Sequence, residues 1–483
     1  MKKSIKLIAL CLILQLFTLN ISAQDKARQI EDVLTKYNEY GQFNGTALVA
    51  ENGKVIFKKG FGSANMEWNI PNQPDTKFRL GSISKQFTAF LMVKLAEEGK
   101  IKLDVPISTY LPDYPKTNGD KITIHQLLTH TSGIPNYTSA PNFFKDKSRN
   151  PYTPEEFVKT FSDLPLEFTP GEKFKYSNSG YFLLGYIIEK ISGKSYEDYL
   201  QEIILTPLKM TNTGYDHSEV IIKNRAAGYE KRNKKISNSP YLDMSIPYAA
   251  GSLYSTVEDL FIWDQALYTT QLLSSKSMES LFKSYIKAGN SSYGYGWFIE
   301  EADNGASGKL KVIQHGGGIN GFNTLIYRLP TDKNLIVLLN NTGGTNLNEM
   351  TESIRSILYN QAFKAPKKSL AFELLDSFSE KGIKAGLSTY NQFKNDPTYA
   401  IKEGDMNNVG YELLQNGKIK EAIEIFKINV ETYPKEGNVY DSLGEAYLKD
   451  GNKNLAIVNY KKSVELDPKN EQGKKVLAEL LKK

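Results

Sequence analysis

Five positions near the C-terminal end recur at one fixed spacing. Gly410, Gly417, Ala422, Phe426 and Pro434 return as Gly444, Gly451, Ala456, Tyr460 and Pro468, each 34 residues later. A unit of that length holds two short helices, with small residues where they touch and proline closing the second. One unit cannot bury its apolar face alone, so units must stack. The second is the fuller pattern, adding Tyr440, Leu443, Tyr447 and Asp467. Ala365-Pro366-Lys367-Lys368 reads as a boundary, and no strand signal follows it. Residues 366–401 are expected to form a linker and a degenerate repeat, with a last helix at 384–394. Residues 402–483 are expected to be all-α repeats ending in a polar capping helix from residue 472.

The chain before that boundary patterns differently. Segments 46–51 and 54–60 flank Asn52-Gly53, a strong hairpin signal. Strand patterns return only late, at 295–300, 311–315, 323–329 and 335–340, the last two joined by a turn at 330–334. Between them lies a Pro- and Gly-punctuated stretch, 102–240, with helices at 180–192 and 195–204. An amphipathic helix at 25–40 presents Ile30, Val33, Leu34 and Tyr37 on one face, and another helix follows at 346–362. Sheet segments at both ends predict an α+β domain over 24–365: an antiparallel sheet flanked by helices, with a helical insertion.

Charge and cysteine usage narrow the partners and the compartment. Three of the excess positive charges, from a formal +6, are Lys2, Lys3 and Lys6. They open a leader with an apolar run at 7–19 and a small-residue pattern, Ile21-Ser22-Ala23, before Gln24. A signal peptide over 1–23 is expected, with cleavage near Ala23 and export to the periplasm or beyond. The lysines at 231–235 and 367–368 read as solvated loop charges, and no nucleic-acid partner is expected. Cys11, the single cysteine, lies in the leader, so the mature chain is expected to form no disulfide. No later apolar run reaches the length of a membrane span, so none is expected in the mature chain.

Within the sheet domain, Ser82-Ile83-Ser84-Lys85 opens an apolar helix carrying Phe87, Phe90, Leu91, Val93 and Leu95. A serine hydroxyl needs a base to become a nucleophile, and a lysine at i+3 brings an amine within reach. At the start of a mostly buried helix, desolvation lowers that amine's pKa toward a usable base. Ser280 with Lys283 and Ser284 with Lys287 repeat the spacing, so the companions of Ser82 have to single it out.

Tyr176-Ser177-Asn178 offers a phenol that can carry a proton and an amide that can orient a lysine or a substrate carbonyl. A plain turn with Asn178 capping the next helix accounts for the same residues. His315-Gly316-Gly317-Gly318 reads as a glycine-rich strand exit. Its N–H groups suit an oxyanion hole, and its histidine offers a carboxylate contact or a proton path. An incidental histidine at a glycine-rich turn is the plainer alternative. The stretch 127–135 reads as a helix end and a turn held by His130. His125 and His130 lack a third ligand at suitable spacing, so no metal is expected.

In this order and at these intervals, Ser82-x-x-Lys85, Tyr176-x-Asn178 and His315-x-Gly317 resemble the three motifs of the class C β-lactamase and D-alanyl-D-alanine peptidase superfamily. The turn at 127–133, Gly180-Tyr181 with Leu184-Gly185, and the stretch 250–255 fit the same family. The resemblance spans about residues 30–362 and implies a β-lactamase/transpeptidase-like fold. It also implies a serine hydrolase with no metal or organic cofactor, acting on a small-molecule or peptide substrate. Ser82 would form an acyl-enzyme, with Lys85 and Tyr176 sharing the base role. Asn178 would orient the acyl amide, and the N–H groups of Ser82 and Gly318, beside Gly317, would form the oxyanion hole. Tyr137 would wall the pocket. His315 stands where class C β-lactamases carry a lysine, which weighs against a strict β-lactamase. β-Lactams, D-amino-acid peptides of the cell wall, and small esters or amides compete as substrates. A true β-lactamase and a catalytically weak penicillin-binding sensor or scaffold are the rival readings. The 34-residue unit resembles the tetratricopeptide repeat, which implies a protein partner.

Overall fold

Asn52 and Gly53 both take positive φ, 52° and 73°, the twist that a two-residue hairpin demands. They join β1 (Gly45–Glu51) to β2 (Lys54–Phe61). The computed structural model describes residues 23–305 and 308–482. The expected leader, apart from its last residue, and Cys11 with it, lie outside the described residues. Two units divide the chain: one runs to Lys364 apart from Arg232–Lys235, and the other holds those four residues and Ala365 onward.

In the first unit six more strands complete an antiparallel sheet. They are β3 (Ile286–Ala288), β4 (Ser291–Tyr293), β5 (Phe298–Asp303), β6 (Lys309–Ile319), β7 (Phe322–Leu329) and β8 (Asn334–Asn340). The order is β3-β4-β5-β6-β7-β8-β1-β2, so the first hairpin docks on the last strand, with Leu48 opposite Val337. Both ends of the domain thus build one sheet, as the sequence pattern predicts.

Successive side chains of β8 and β1 enter two different cores. Leu335, Val337 and Leu339 join Leu48 and Ala50 in one, while Ile336 and Leu338 join Ala47 and Val49 in the other. Helix α1 (residues 23–39) adds Ile30 and Leu34 to the second core. A strand this apolar is stable only with both faces covered. Facing the first core is α2 (Ser84–Glu97), in which every residue from Ser84 to Val93 is buried.

Several buried polar groups of α2 find partners, which spares about 1–3 kcal/mol for each group that burial would otherwise strand. Thr88 Oγ1 donates to the Ala249 carbonyl at 2.6 Å, and Trp263 Nε1 donates to Gln86 Oε1 at 3.1 Å. Phe87 stacks on Trp263 with ring centroids 4.6 Å apart. These contacts fix the rotation of α2 about its axis. Helix α3 (Asn178–Ser192) and the short α4 (Tyr248–Gly251) pack beside it. Helix α5 (Asn348–Leu358) closes the second core through Met350 and Ile354.

The structure corrects the sequence pattern at β6. The strand predicted to end at His315 runs on through Gly316–Gly318 to Ile319. The glycines are therefore inside the strand, not at its exit. A Cβ on Gly317 would lie 1.9 Å from the Leu80 carbonyl oxygen, so only glycine lets the strand pass the entry to α2. Of residues 231–235, read as loop charges, Asn233 and Lys234 form the turn between strands Tyr229–Arg232 and Lys235–Asn238, and the others lie in those strands. The helix predicted at 195–204 divides into Tyr196–Leu200 and a π turn, Gln201–Leu205.

The second unit contains α6 (Glu403–Gln415), α7 (Ile419–Thr432), α8 (Gly437–Lys449), α9 (Lys453–Leu466) and α10 (Glu471–Leu481). A Cβ on Gly410 would lie 2.4 Å from the Phe426 ring, and one on Gly444 would lie 3.1 Å from Tyr460. The recurring glycine and aromatic positions are thus one contact made twice, where paired helices cross. The helix expected at 384–394 belongs to a longer one, Leu370–Phe393, kinked at Gly382. A short bridge between Lys368–Ser369 and Tyr399–Ala400 adds strand pairing where none is predicted.

Candidate active site

Gly81, at φ 55°, starts a single 3-10 turn (Gly81–Ile83) that runs directly into α2. Ser82 therefore precedes the helix, and Lys85 sits in its first turn. Lys85 Nζ lies 2.9 Å from Ser82 Oγ, 2.8 Å from Asn178 Oδ1 and 2.8 Å from the Ala250 carbonyl. The rings of Tyr176 and Tyr181 stand 4.9 and 5.6 Å from the amine. Lys85 is fully buried, and desolvation holds its pKa well below the ordinary lysine value.

Tyr176 is half-buried, but its hydroxyl is buried and has no hydrogen-bond partner of ordinary geometry. Burial raises the phenol well above its usual pKa, and the neighbouring Ser82 hydroxyl draws it part of the way back. At neutral pH it keeps its proton. The loop that carries Tyr176 to Asn178 hangs on His130. Lys175 N–H donates to the His130 carbonyl at 2.9 Å, and Ser177 N–H donates to its Nδ1 at 3.1 Å. Asn178 N–H donates to Asn136 Oδ1 at 3.0 Å, which sets the amide that meets Lys85.

These bonds also decide the histidine tautomers. Because Ser177 N–H can only donate, His130 Nδ1 is the acceptor and Nε2 carries the hydrogen. That nitrogen lies 3.2 Å from the Tyr293 hydroxyl, which lies 3.1 Å from His315 Nε2. Tyr293 accepts from His130 and donates to His315. His315 Nδ1–H in turn donates to the Gly316 carbonyl at 2.6 Å. Both imidazoles are neutral: burial, the largest cause, lowers His130 well below 6.5 and His315 to about 3.

A cleft of about 330 Å³ opens onto Ser82, Asn178 and Gly318. Tyr137 is one of its walls, with its hydroxyl donating to the Ile246 carbonyl at 3.1 Å. Phe143, Phe144, Leu242 and Phe322 extend the apolar side. Gly318 backs onto the serine turn, since a Cβ on Gly81 would lie 3.0 Å from Gly318 N. His315 and Gly317 do not line the cleft. His315 is buried with both ring nitrogens engaged, so the carboxylate contact considered for it has no free nitrogen to make it. Gly317 serves the close passage past Leu80. Ser280 Oγ donates to the Ser277 carbonyl at 2.6 Å on another helix, away from these companions.

Three contributors escape the motifs. The Ala250 carbonyl is backbone, and no side-chain pattern announces it. Tyr293 lies in an aromatic and glycine alternation, Tyr293-Gly294-Tyr295-Gly296-Trp297, which was its available signal. Glu230 lines the cleft from the undetected hairpin, and its Oε1 accepts Gly321 N–H at 2.8 Å.

The β-lactamase family model matches residues 30–359, well over half of the chain. The chain belongs to the β-lactamase family. A tetratricopeptide repeat model matches residues 437–470, a type of module that engages other proteins. A putative penicillin-binding protein, PbpX, of Bacillus subtilis (strain 168) is 32% identical over 340 residues, covering 70% of this chain and 80% of that one. A solved penicillin-binding protein from Bacillus halodurans is similar with a TM-score of 0.61 and 28% identity, covering 67% and 98%. The D-amino acid amidase of Ochrobactrum anthropi SV3, solved with L-phenylalanine amide, gives a TM-score of 0.60 and 26% identity, covering 70% and 99%. As a β-lactamase-family protein, the chain is a serine hydrolase.

Proposed function

We propose that Ser82 is acylated by a neutral or amine-bearing amide or ester with an apolar acyl group, with Lys85 as the base. The hydrogen-bond count at Lys85 carries this reading. A neutral amine has two hydrogens and one lone pair. Asn178 Oδ1 and the Ala250 carbonyl can only accept, so they take both hydrogens and leave the lone pair for the Ser82 hydroxyl. The Ser82 proton moves to Nζ as Oγ bonds to the substrate carbonyl carbon. The N–H groups of Ser82 and Gly318 receive the oxyanion. The protonated leaving group departs, its proton passed from Lys85 by way of the Tyr176 phenol, and water then releases the acyl group by the reverse route. Tyr176 is the proton carrier rather than the first base, because burial favours its neutral form.

The lining of the cleft supports the substrate class. Among the described residues that line it, Glu230 alone is charged, and Tyr137, Phe143, Phe144 and Phe322 supply aromatic surface. Penicillins and peptides ending in D-alanine carry a carboxylate, and this cleft offers that group no cation. An amino-acid amide or ester with a free amine suits Glu230 instead, and a D-amino-acid amide is a member of that class. The leader supports export, which N-terminal sequencing of secreted protein beginning at Gln24 would test. The repeats supply a surface for a protein partner.

A panel of D-phenylalanine amide, a p-nitrophenyl ester, nitrocefin and a D-Ala-D-Ala peptide tests the reading, with Ser82→Ala as control. Amide and ester should turn over fastest, and Ser82→Ala should abolish both. Faster nitrocefin hydrolysis would make the protein a true β-lactamase. A lasting penicillin adduct with no turnover of any substrate would make it a sensor.

A further inference from the structure

Tyr293 ends β4, paired with Ile286 of β3 on one side and Phe298 of β5 on the other, and its ring is fully buried. The chain beyond it packs closely. A Cβ on Gly294 would lie 2.5 Å from the Leu281 carbonyl oxygen, and one on Gly296 would lie 2.8 Å from that of Lys85. Tyr293 is not among the residues that line the cleft, so any effect it has on the reaction passes through other side chains.

Two imidazoles receive it. His130 Nε2–H donates to the Tyr293 oxygen at 3.2 Å, and Tyr293 donates in turn to His315 Nε2 at 3.1 Å. The neighbouring Tyr181 hydroxyl donates to the Leu128 carbonyl at 2.8 Å, which leaves it no hydrogen for either ring. Burial holds the Tyr293 phenol well above its usual pKa, so it keeps the proton that it shares with His315. One hydroxyl thus satisfies two buried histidines.

Those histidines support two separate parts of the site. The His130 ring lies 4.2 Å from that of Tyr176, inclined by 31°, and its Nδ1 accepts Ser177 N–H. His315 lies on β6, the strand that carries Gly318. Tyr293 therefore ties the loop that places the phenol of Tyr176 to the strand that places an oxyanion donor. Without its hydroxyl, the His130 N–H and the His315 lone pair would both be buried without a partner. A His130 ring that turned or changed tautomer to recover one would give up Ser177 N–H and its place against Tyr176.

We propose that Tyr293 is a positioning residue for protonation of the leaving group, acting through His130 on Tyr176. The inference rests on the reading of Tyr176 as the proton carrier. An amide nitrogen must be protonated to depart, whereas p-nitrophenolate departs as the anion. The contribution of Tyr293 is therefore largest for substrates whose leaving group needs that proton.

Tyr293→Phe in the full-length protein, assayed below its Tm, tests this with D-phenylalanine amide and a p-nitrophenyl ester. The kcat for the amide should fall at least about tenfold with KM unchanged, while pre-steady-state acylation by the ester should fall less than about threefold. A general loosening of the fold would slow both alike. Nitrogen-15 NMR of the histidine-labelled wild-type protein reads the arrangement without any variant: His130 should carry its hydrogen on Nε2 and His315 on Nδ1. Equal losses on the two substrates, an unchanged amide rate, or the opposite tautomer at either histidine would overturn the proposal. Those results would leave the acyl-enzyme at Ser82 standing; that reading falls instead if Ser82→Ala retains turnover.

Discussion

The chemistry rests on one amine whose surroundings keep it neutral. Lys85 has no carboxylate partner; it has two carbonyl-type acceptors and a serine. An ammonium there would be buried without a counter-charge, which is why desolvation dominates its pKa. Lys85→Ala should therefore lower the acylation rate by roughly 10²–10⁴-fold, with little change in KM. Lys85→Arg should not rescue it, because a guanidinium stays protonated. Pre-steady-state release of p-nitrophenol reads both. Acylation should also rise with pH along a limb set by an amine pKa well below 10.5 and plateau above it; a limb near 10.5 would mean a charged, inactive lysine at neutral pH. Glu230→Gln should raise the KM for D-phenylalanine amide about tenfold and leave an uncharged ester unaffected.

Elements bring these residues together by close passage. Strand β6 crosses the entry to α2 at Gly317, where Leu80 leaves no room for a Cβ and Thr324 Oγ1 donates to the same Leu80 carbonyl at 2.7 Å. Gly317→Ala should lower stability by about 1–3 kcal/mol and disturb Ser82 through the displaced turn, as thermal melts and activity assays would register. The glycine run was visible in the sequence as a feature, but its reason was not. A sequence displays the missing side chains at Gly316–Gly318 without displaying Leu80, more than two hundred residues earlier. For the same reason Ser82, Lys85, Tyr176 and Asn178 were legible as motifs, since each carries its chemistry in a local pattern. The Ala250 carbonyl, the Tyr293 hydroxyl and Glu230 reach the site through tertiary structure alone. His315 was legible as a position but not in its surroundings, which supply both its hydrogen-bond partners and its neutrality.

At the scale of the molecule, the 34-residue repeat was the most readable feature, because it is a period written into the chain. Short strands such as Tyr229–Arg232 were not, since they carry too few residues to establish a period. The buried histidines add a property of the whole folded state. With His315 at about 3 when folded and 6.5 when unfolded, only the unfolded chain takes up its proton between those values. Stability from this group is intact above pH 6.5 and is lost as pH falls toward 3, amounting to about 3 kcal/mol at pH 4.5. His130, lowered in the same direction, adds to the loss. The Tm should fall between pH 6.5 and 4.5, and His315→Asn should flatten part of that fall. An unchanged slope in the variant would contradict a neutral buried His315.

Ser82 should carry the acyl group as a covalent ester, which peptide mass mapping after acid quench of a reacting p-nitrophenyl ester detects. The acyl mass should appear on the peptide containing Ser82, accumulate more slowly in Lys85→Ala, and be absent from Ser82→Ala together with turnover. Label on any other residue, or full turnover in Ser82→Ala, would contradict the account.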